Sequence, residues 1–409
     1  MKSRETKIPQ FYDVLDDENA VVRKVYEQVL QKAKDAGFIE IETSSIELRE
    51  RYLNATNVHF SKIFEVRRPK QGNAYALEAD LAMSMSRFIA DLPNEVPYIK
   101  LIQLGKMYRD RVDDVPGYRR EFKQILLGEW GSESIFADAE VIFLAYNLLK
   151  NIDGIKISYI EISNPDIFNV LSCDLAEKIR FDGIKKLEDV GVNKNDTEIL
   201  ESEFRKKDIS FYYLESLLNK FQDARIKKEI EKAINLWKFL VDNYIIADDI
   251  FFSLKNLEGT GHYDGMHYKI YVDINNIKYL ICDGGRINNL CTRFNRKKNI
   301  PAVCMGIGIQ ILAQLITEKQ KDKVCILIDE NEISNKWDTL EEIKKKIGDK
   351  FDVSIVPKSP STKKKFFKNE MYEGYSYILI EKGSIEIRSN STELKKDLTN
   401  ELSELVSKT

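Results

Sequence analysis

Several common signatures are missing from this sequence, and each absence closes a class of function. The five cysteines (Cys173, Cys282, Cys291, Cys304 and Cys325) are widely scattered and form no CxxC pair. That pattern excludes a disulfide framework or a cysteine zinc site and predicts buried thiols in a reducing compartment. Histidine occurs only three times in 409 residues. Two of these, His262 and His267, flank Gly265 without a supporting cysteine or carboxylate cluster, so they make a poor metal pair. Net charge is nearly absent, with 63 basic residues against 66 acidic ones. No global attraction to nucleic acid follows, although local patches remain open. No segment is apolar for long enough to cross a bilayer, and the opening MKSRETKIPQFYD has no apolar run of the signal-peptide kind. A soluble cytoplasmic protein is therefore expected. P-loop, GxSxG, HExxH and GxGxxG patterns are absent, as are internal repeats.

What is present is a long, normally hydrophobic chain (43% apolar) that calls for two or three domains. Apolar residues at helical spacing predict a helix over 17–36, ending at Gly37, followed by a strand at FIEIET. Residues 79–92 read as a helix, and YIKLIQLGKMYR as a strand. Beyond Pro116-Gly117, REFKQILLGEWG reads as the antiparallel partner of that strand, and 137–150 as another amphipathic helix. From 172 to 246 the texture becomes long, charged and helical, as in LESLLNKFQDARIKKEIEKAINLWKFLVDNY. Its charge runs read as solvated helix faces. Strands return at HYKIYVDI and KYLICDGG, then PAVCMGIGIQILAQLI. After 321, VCILIDE, DVSIVP and YSYILIEKGSIEIRS alternate with two helices as a compact αβ unit. The expected fold class is α+β: a mostly antiparallel sheet flanked by helices, with a helical insertion and a small C-terminal α/β domain. The boundaries are 1–171 and 247–320 for the two parts of the core, 172–246 for the insertion and 321–409 for the last domain. Antiparallel pairing and the missing Gly-rich first turn exclude a Rossmann domain.

One stretch concentrates cations. YRDRVDDVPGYRREFKQILLGE, residues 108–129, places Arg109, Arg111, Arg119 and Arg120 around a Pro-Gly turn between two apolar runs. Such a hairpin either grips an anion or is a solvated tip. Gln124 on its second strand is either a core amide or a ligand contact, and Glu129 is expected to face solvent. The Gly284-Gly285 pair reads as a tight bend. Lys363, Lys364 and Lys365 read as solvated charge rather than phosphate contacts.

The same hairpin, with GEWG and ADAEVI after it, resembles motif 2 of the class II aminoacyl-tRNA synthetases in the form found in histidyl-tRNA synthetases. Four further segments match that family in order. ALEADLAMSMSRFIA is similar to its "LRPE/D-T…AR" helix and LEGTGHYDGMHYKIYV to its "RGLDYYTG…FE" segment. ICDGGRINNL is similar to "GGRYDGL", and PAVCMGIGIQIL to motif 3, "PAVGFAxGLERL". The region DVSIVP to EIRS resembles an anticodon-binding domain. The resemblance implies a class II synthetase-like fold, a homodimer, and an amino-acid or nucleotide pocket formed by Asp80, Arg109, Arg120, Gln124, Glu129, His262, Tyr263, Gly284, Gly285 and Arg286.

The departures from that pattern carry functional meaning. Arg111 replaces the motif 2 glutamate, Gln310-Ile311 replaces the motif 3 Glu-Arg, and Glu258 replaces the arginine before the GLDYY-like segment. Fixed cations at these places stabilise charge on a transferring phosphate, and their loss costs orders of magnitude in rate. The glutamate expected four residues after Gln124 falls on Gly128, with Glu129 one step further, so only a bulge could return it to the same face. Ser44 stands where motif 1 has proline. These losses imply no catalytic residues, no metal and no required cofactor. They point to a paralogue without aminoacylation activity, such as the regulatory subunit of ATP phosphoribosyltransferase in histidine biosynthesis, with that enzyme's catalytic subunit as partner and a histidine-like small ligand. Two alternatives stay open: a divergent histidine–tRNA ligase using ATP and Mg, and an RNA-binding or scaffolding paralogue that could contact tRNA.

Overall fold

The computed structural model describes residues 8–14, 16–55, 60–67, 74–93, 98–110, 119–173, 175–184, 187–206, 208–244, 247–255, 263–274, 276–295, 297, 299–316, 322–358, 375–381, 384–389 and 391–403. The chain divides into two compact units, Met1–Thr317 and Glu318–Thr409. The helical stretch after residue 172 belongs to the first of these.

That unit opens with helix α1 (Asp16–Asp35), whose Val21, Val22, Val25 and Val29 are buried along one stripe. Gly37, at φ +85°, turns the chain out of the helix, a conformation that glycine adopts without strain. Strand β1 (Ile39–Glu40) follows, then β2 (Ile46–Leu48), α2 (Arg49–Ala55), β3 (Glu65–Arg67) and β4 (Ala74–Leu77). Strands β2, β4 and β3 form a small separate sheet that the sequence pattern did not reveal. Asp80 caps α3 (Leu81–Asp91) by accepting from the Ala82 N–H at 3.0 Å. The hairpin strands are β5 (Ile99–Tyr108) and β6 (Glu121–Trp130), and α4 (Ile135–Lys150) starts at the Ser134 cap.

Strand β7 (Lys156–Ser163) leads into the helical stretch: α5 (Asp166–Asn169), α6 (Leu175–Asp182), α7 (Lys194–Phe204), α8 (Phe211–Leu218) and α9 (Ala224–Asn243). This stretch also supplies β8 (Ile209–Ser210), which joins the main sheet next to β9 (Ile250–Phe252). The core resumes with β10 (His267–Ile274), β11 (Ile277–Arg286), α10 (Leu290–Phe294), β12 (Ala302–Ile307) and α11 (Ile309–Leu315). Nine strands form one sheet in the order β1-β5-β6-β12-β11-β10-β7-β9-β8. Its pairings are antiparallel except for β1 with β5 and β7 with β9.

The sheet has two differently covered faces, set by the strand period of two. Ile125 and Leu127 of β6 pack with α1 and α4 in the larger core cluster. Leu126 and Trp130 pack with α3 and α10 in the second. We call these the back and front faces.

In the second unit, β13 (Asp322–Asp329), helix α12 (Trp337–Ile347), β14 (Phe351–Lys358), β15 (Ser376–Glu381) and β16 (Ser384–Arg388) give a four-stranded sheet, β14-β13-β15-β16, with a helix at Thr392–Glu401. Pairing is parallel around β13 and antiparallel between β15 and β16. The second helix expected here, with Lys363–Lys365, lies outside the described residues. Among the described residues no helix is long and apolar enough to cross a membrane. Four cysteines are buried as expected, but Cys173 is exposed.

Candidate functional site

The front face gathers part of the expected pocket. Gln124 and Gly128 share it with Phe122, Leu126 and Trp130, because all are even-numbered residues of an unbroken strand. The register runs without a shift from Ile99↔Trp130 to Tyr108↔Glu121, and from Ala302↔Trp130 to Ile307↔Ile125. With no bulge, Glu129 turns to the back face, away from Gln124. It is also fully buried there rather than facing solvent. Its partners are the Tyr98 hydroxyl, which donates to Oε2, and Glu140 on α4, itself ion-paired with Lys100. Burial pushes the Glu129 carboxyl up to about 8; Glu140 adds to the shift, while Tyr98 and Lys100 oppose it.

Beside Gln124, the start of α3 brings Asp80 against Arg109. Arg109 Nε donates to the Ala79 carbonyl at 2.7 Å, and its guanidinium lies 5.7 Å from the Phe122 ring centre. The Ala79 N–H donates to the Tyr52 hydroxyl oxygen at 2.8 Å. Glu78, nearly inaccessible, is pushed up to about 8 by burial; hydrogen bonds from Ser84 and Thr43 oppose this, and the carboxylates of Glu47 and Asp80 add to it. Tyr263 closes the group. Burial raises its hydroxyl well above the usual tyrosine value, with Asp283, Cys304 and Asp80 adding and Arg109 opposing. Asp80, Arg109 and Tyr263 are thus electrostatic neighbours on one face. His262 and Glu258 lie outside the described residues, as does Arg111.

The remaining predicted residues are held by partners of their own. Arg120 pairs with Asp110 at 3.0 Å, and its backbone N–H donates to the Gln10 carbonyl. Arg286 turns to the back face, where it grips Asp138 of α4 with two nitrogens and also donates to the Ser132 and Ser134 carbonyls. Tyr268 donates to the same carboxylate. A buried Arg–Asp pair with its hydrogen bonds satisfied is structural, and it removes Arg286 from the front face. Gly284 and Gly285 are not a bend; both lie inside β11. A Cβ at 284 would come within 2.2 Å of the Cys304 carbonyl, and one at 285 within 2.6 Å of the Met266 carbonyl. Close strand packing, not a turn, requires glycine at both.

The departures also take physical form. A Cβ at position 128 would lie 2.5 Å from the Trp130 ring, so that ring covers the place from which the family's glutamate would project. Gly306 admits the Gln124 amide in the same way, with a Cβ there only 2.5 Å from Nε2. Ile311 packs against the back-face core, and Gln310 is buried and bonded to Glu18 of α1. The sequence reading missed the pair His267–Asp283, with Nε2 to Oδ1 at 2.5 Å and the imidazole stacked on Tyr263 at 4.4 Å. A histidine and an aspartate facing the same side of two paired strands were the available signal. Among the described residues no group of acidic, histidine or cysteine side chains could hold a metal ion.

A large, mostly antiparallel sheet, with its motif 2 hairpin at β5 and β6 and helices on both faces, defines a class II aminoacyl-tRNA synthetase-like fold. Solved structures that share it include the following two. One is an ATP phosphoribosyltransferase regulatory subunit/histidyl-tRNA synthetase from Bacillus halodurans (TM-score 0.72, 19% identity, covering 92% of this chain and 98% of that one). The other is histidyl-tRNA synthetase from Nostoc sp. PCC 7120 (TM-score 0.65, 15% identity, covering 98% and 100%). The histidyl-tRNA synthetase family profile matches residues 10–312. Histidine–tRNA ligases of Treponema denticola and Helicobacter hepaticus are each 27% identical, over 328 and 335 residues. Both matches cover 75% of this chain, with 72% and 74% of the respective relatives. The chain belongs to the histidyl-tRNA synthetase family.

Proposed function

We propose that this chain is a histidyl-tRNA synthetase-like subunit without aminoacylation activity, which binds a small histidine-like ligand on the front face and regulates an ATP phosphoribosyltransferase. The observation that carries this reading is α11. Where the family's motif 3 sets an arginine beside ATP, Ile311 is packed into the back-face core and Gln310 is tied to Glu18. A nucleotide held by Arg109 alone would lack the second cation that stabilises charge on the transferring phosphate. The covering of Gly128 by Trp130 supports the reading independently, since it replaces a ligand-reading carboxylate with an indole. No cofactor is required, and the assembly is a homodimer that contacts the catalytic subunit of that enzyme.

A second reading, a divergent histidine–tRNA ligase working with ATP and Mg, is favoured by the retention of Arg109 next to Phe122 and by the separate αβ unit after Glu318. Calorimetry with histidine and with ATP, together with ATP–pyrophosphate exchange, separates the two. The leading reading expects histidine binding, no exchange, and co-elution with an ATP phosphoribosyltransferase catalytic subunit whose activity then responds to histidine. Histidine-dependent pyrophosphate exchange would establish the ligase instead.

A further inference from the structure

A cavity of about 520 Å³ lies at the end of the hairpin strands nearest residues 8–14. Three features of its lining point to a ligand. The first is charge. Lys106 of β5 and Lys123 of β6 are directly opposed in the strand register, and both turn to the back face. Like charges placed opposite one another across a strand pair destabilise it. Arg119 adds a third cation, against the carboxylates of Asp13 and Glu121 in the same lining. The second is how these cations are held. Arg119 is matched by Glu18 at 2.9 Å and Lys106 by Glu121 at 2.6 Å. Lys123 donates instead to the neutral amide oxygen of Asn19 at 3.0 Å. Burial, then Lys106, lowers its pKa, with Glu18 opposing; the ammonium sits where an added anion would favour it.

The third feature is flat apolar wall. Phe11 and Tyr12 line the cavity, while Phe122 reaches only its edge, its side chain turned to the front face where Arg109 lies on the ring. The segment that carries the first two is anchored rather than loose: the Arg120 N–H donates to the Gln10 carbonyl at 3.1 Å and Phe11 packs edge-on against Phe64. Arg119 lies 5.0 Å from the Tyr12 ring centre, which holds that ring at the cation cluster. A volume of this size suits a small metabolite.

We propose that this cavity is a second ligand site, distinct from the front-face group, for a small aromatic or heteroaromatic molecule carrying a phosphate. The phosphate bridges the opposed Lys106 and Lys123, and the ring lies against Phe11 and Tyr12. Because Lys123 and Gln124 are consecutive on β6 and face opposite ways, occupancy of one face is positioned to influence the other.

The test is calorimetry on the full chain with adenosine monophosphate, adenosine and inorganic phosphate as probes. A charge-assisted contact is worth about 1.5–3 kcal/mol, so the monophosphate should bind about tenfold or more tightly than adenosine. Lys123→Gln should weaken it by a similar factor, as should the exposed Lys106→Gln, whose fold is not in question. Arg109→Gln, on the front face, should leave it within about twofold. Two results would overturn the proposal: absence of monophosphate binding, or binding that Arg109→Gln abolishes and both lysine variants leave intact. Loss of histidine binding at the front face, with these responses preserved, would count against the proposed function alone.

Discussion

Glu129 offers the sharpest test of the fold's internal electrostatics, because the sequence leads one to expect it at the surface and the sheet buries it against Glu140. Its carboxyl is held at about 8 in the folded chain, against 4.5 for the ordinary group. A raised folded pKa means the folded state favours the protonated form. Stability from this site is therefore complete below about pH 4.5 and is lost as pH rises toward 8. Each unit of pKa difference corresponds to about 1.4 kcal/mol, so the loss across that window has a ceiling of about 5 kcal/mol. Glu129→Gln keeps the shape and an oxygen for the Tyr98 hydroxyl but has no charge to bury. At pH 5 it should be nearly neutral, and by pH 8.5 it should stabilise the first unit by about 2 kcal/mol or more. Urea unfolding followed by tryptophan fluorescence reports this, since Trp130 and Trp237 both lie in that unit. Glu78, also held at about 8, leaves some pH dependence in the variant. A stability difference that is the same at both pH values would refute the reasoning, as would destabilisation at pH 8.5.

Asp138→Asn should cost about 3 kcal/mol, because it leaves the buried Arg286 guanidinium with two carbonyls and an amide in place of its ion-pair partner; denaturant midpoints measure it. Gly128→Ala places a methyl 2.5 Å from the Trp130 ring and should cost about 1–3 kcal/mol, with a changed tryptophan emission as the indole is displaced.

Much of the architecture was legible in the sequence because strand and helix periods are local properties. The hairpin of β5 and β6, the helix over residues 79–92, and the strands HYKIYVDI and KYLICDGG were all legible from local pattern. The fold class followed from five ordered segments, and the motif 3 departure at Ile311 was visible as a change of residue. Composition alone decided that no cysteine framework was available. What the sequence could not decide is which face each residue occupies and what meets it there. Glu129 was one residue from its expected place, and only the uninterrupted register with β5 and β12 excluded a compensating bulge. Arg286 lies in a GGR triplet that matches the family pattern, yet its partner is Asp138, 148 residues away along the chain. The small sheet of β2, β4 and β3 has strands too short to carry a period. The pairing of His267 with Asp283, the cover that Trp130 forms over Gly128, and the opposition of Lys106 to Lys123 are all products of strand pairing. Local propensity sets whether a segment is extended; long-range register, fixed by burial on both faces of the sheet, sets which side chains come together.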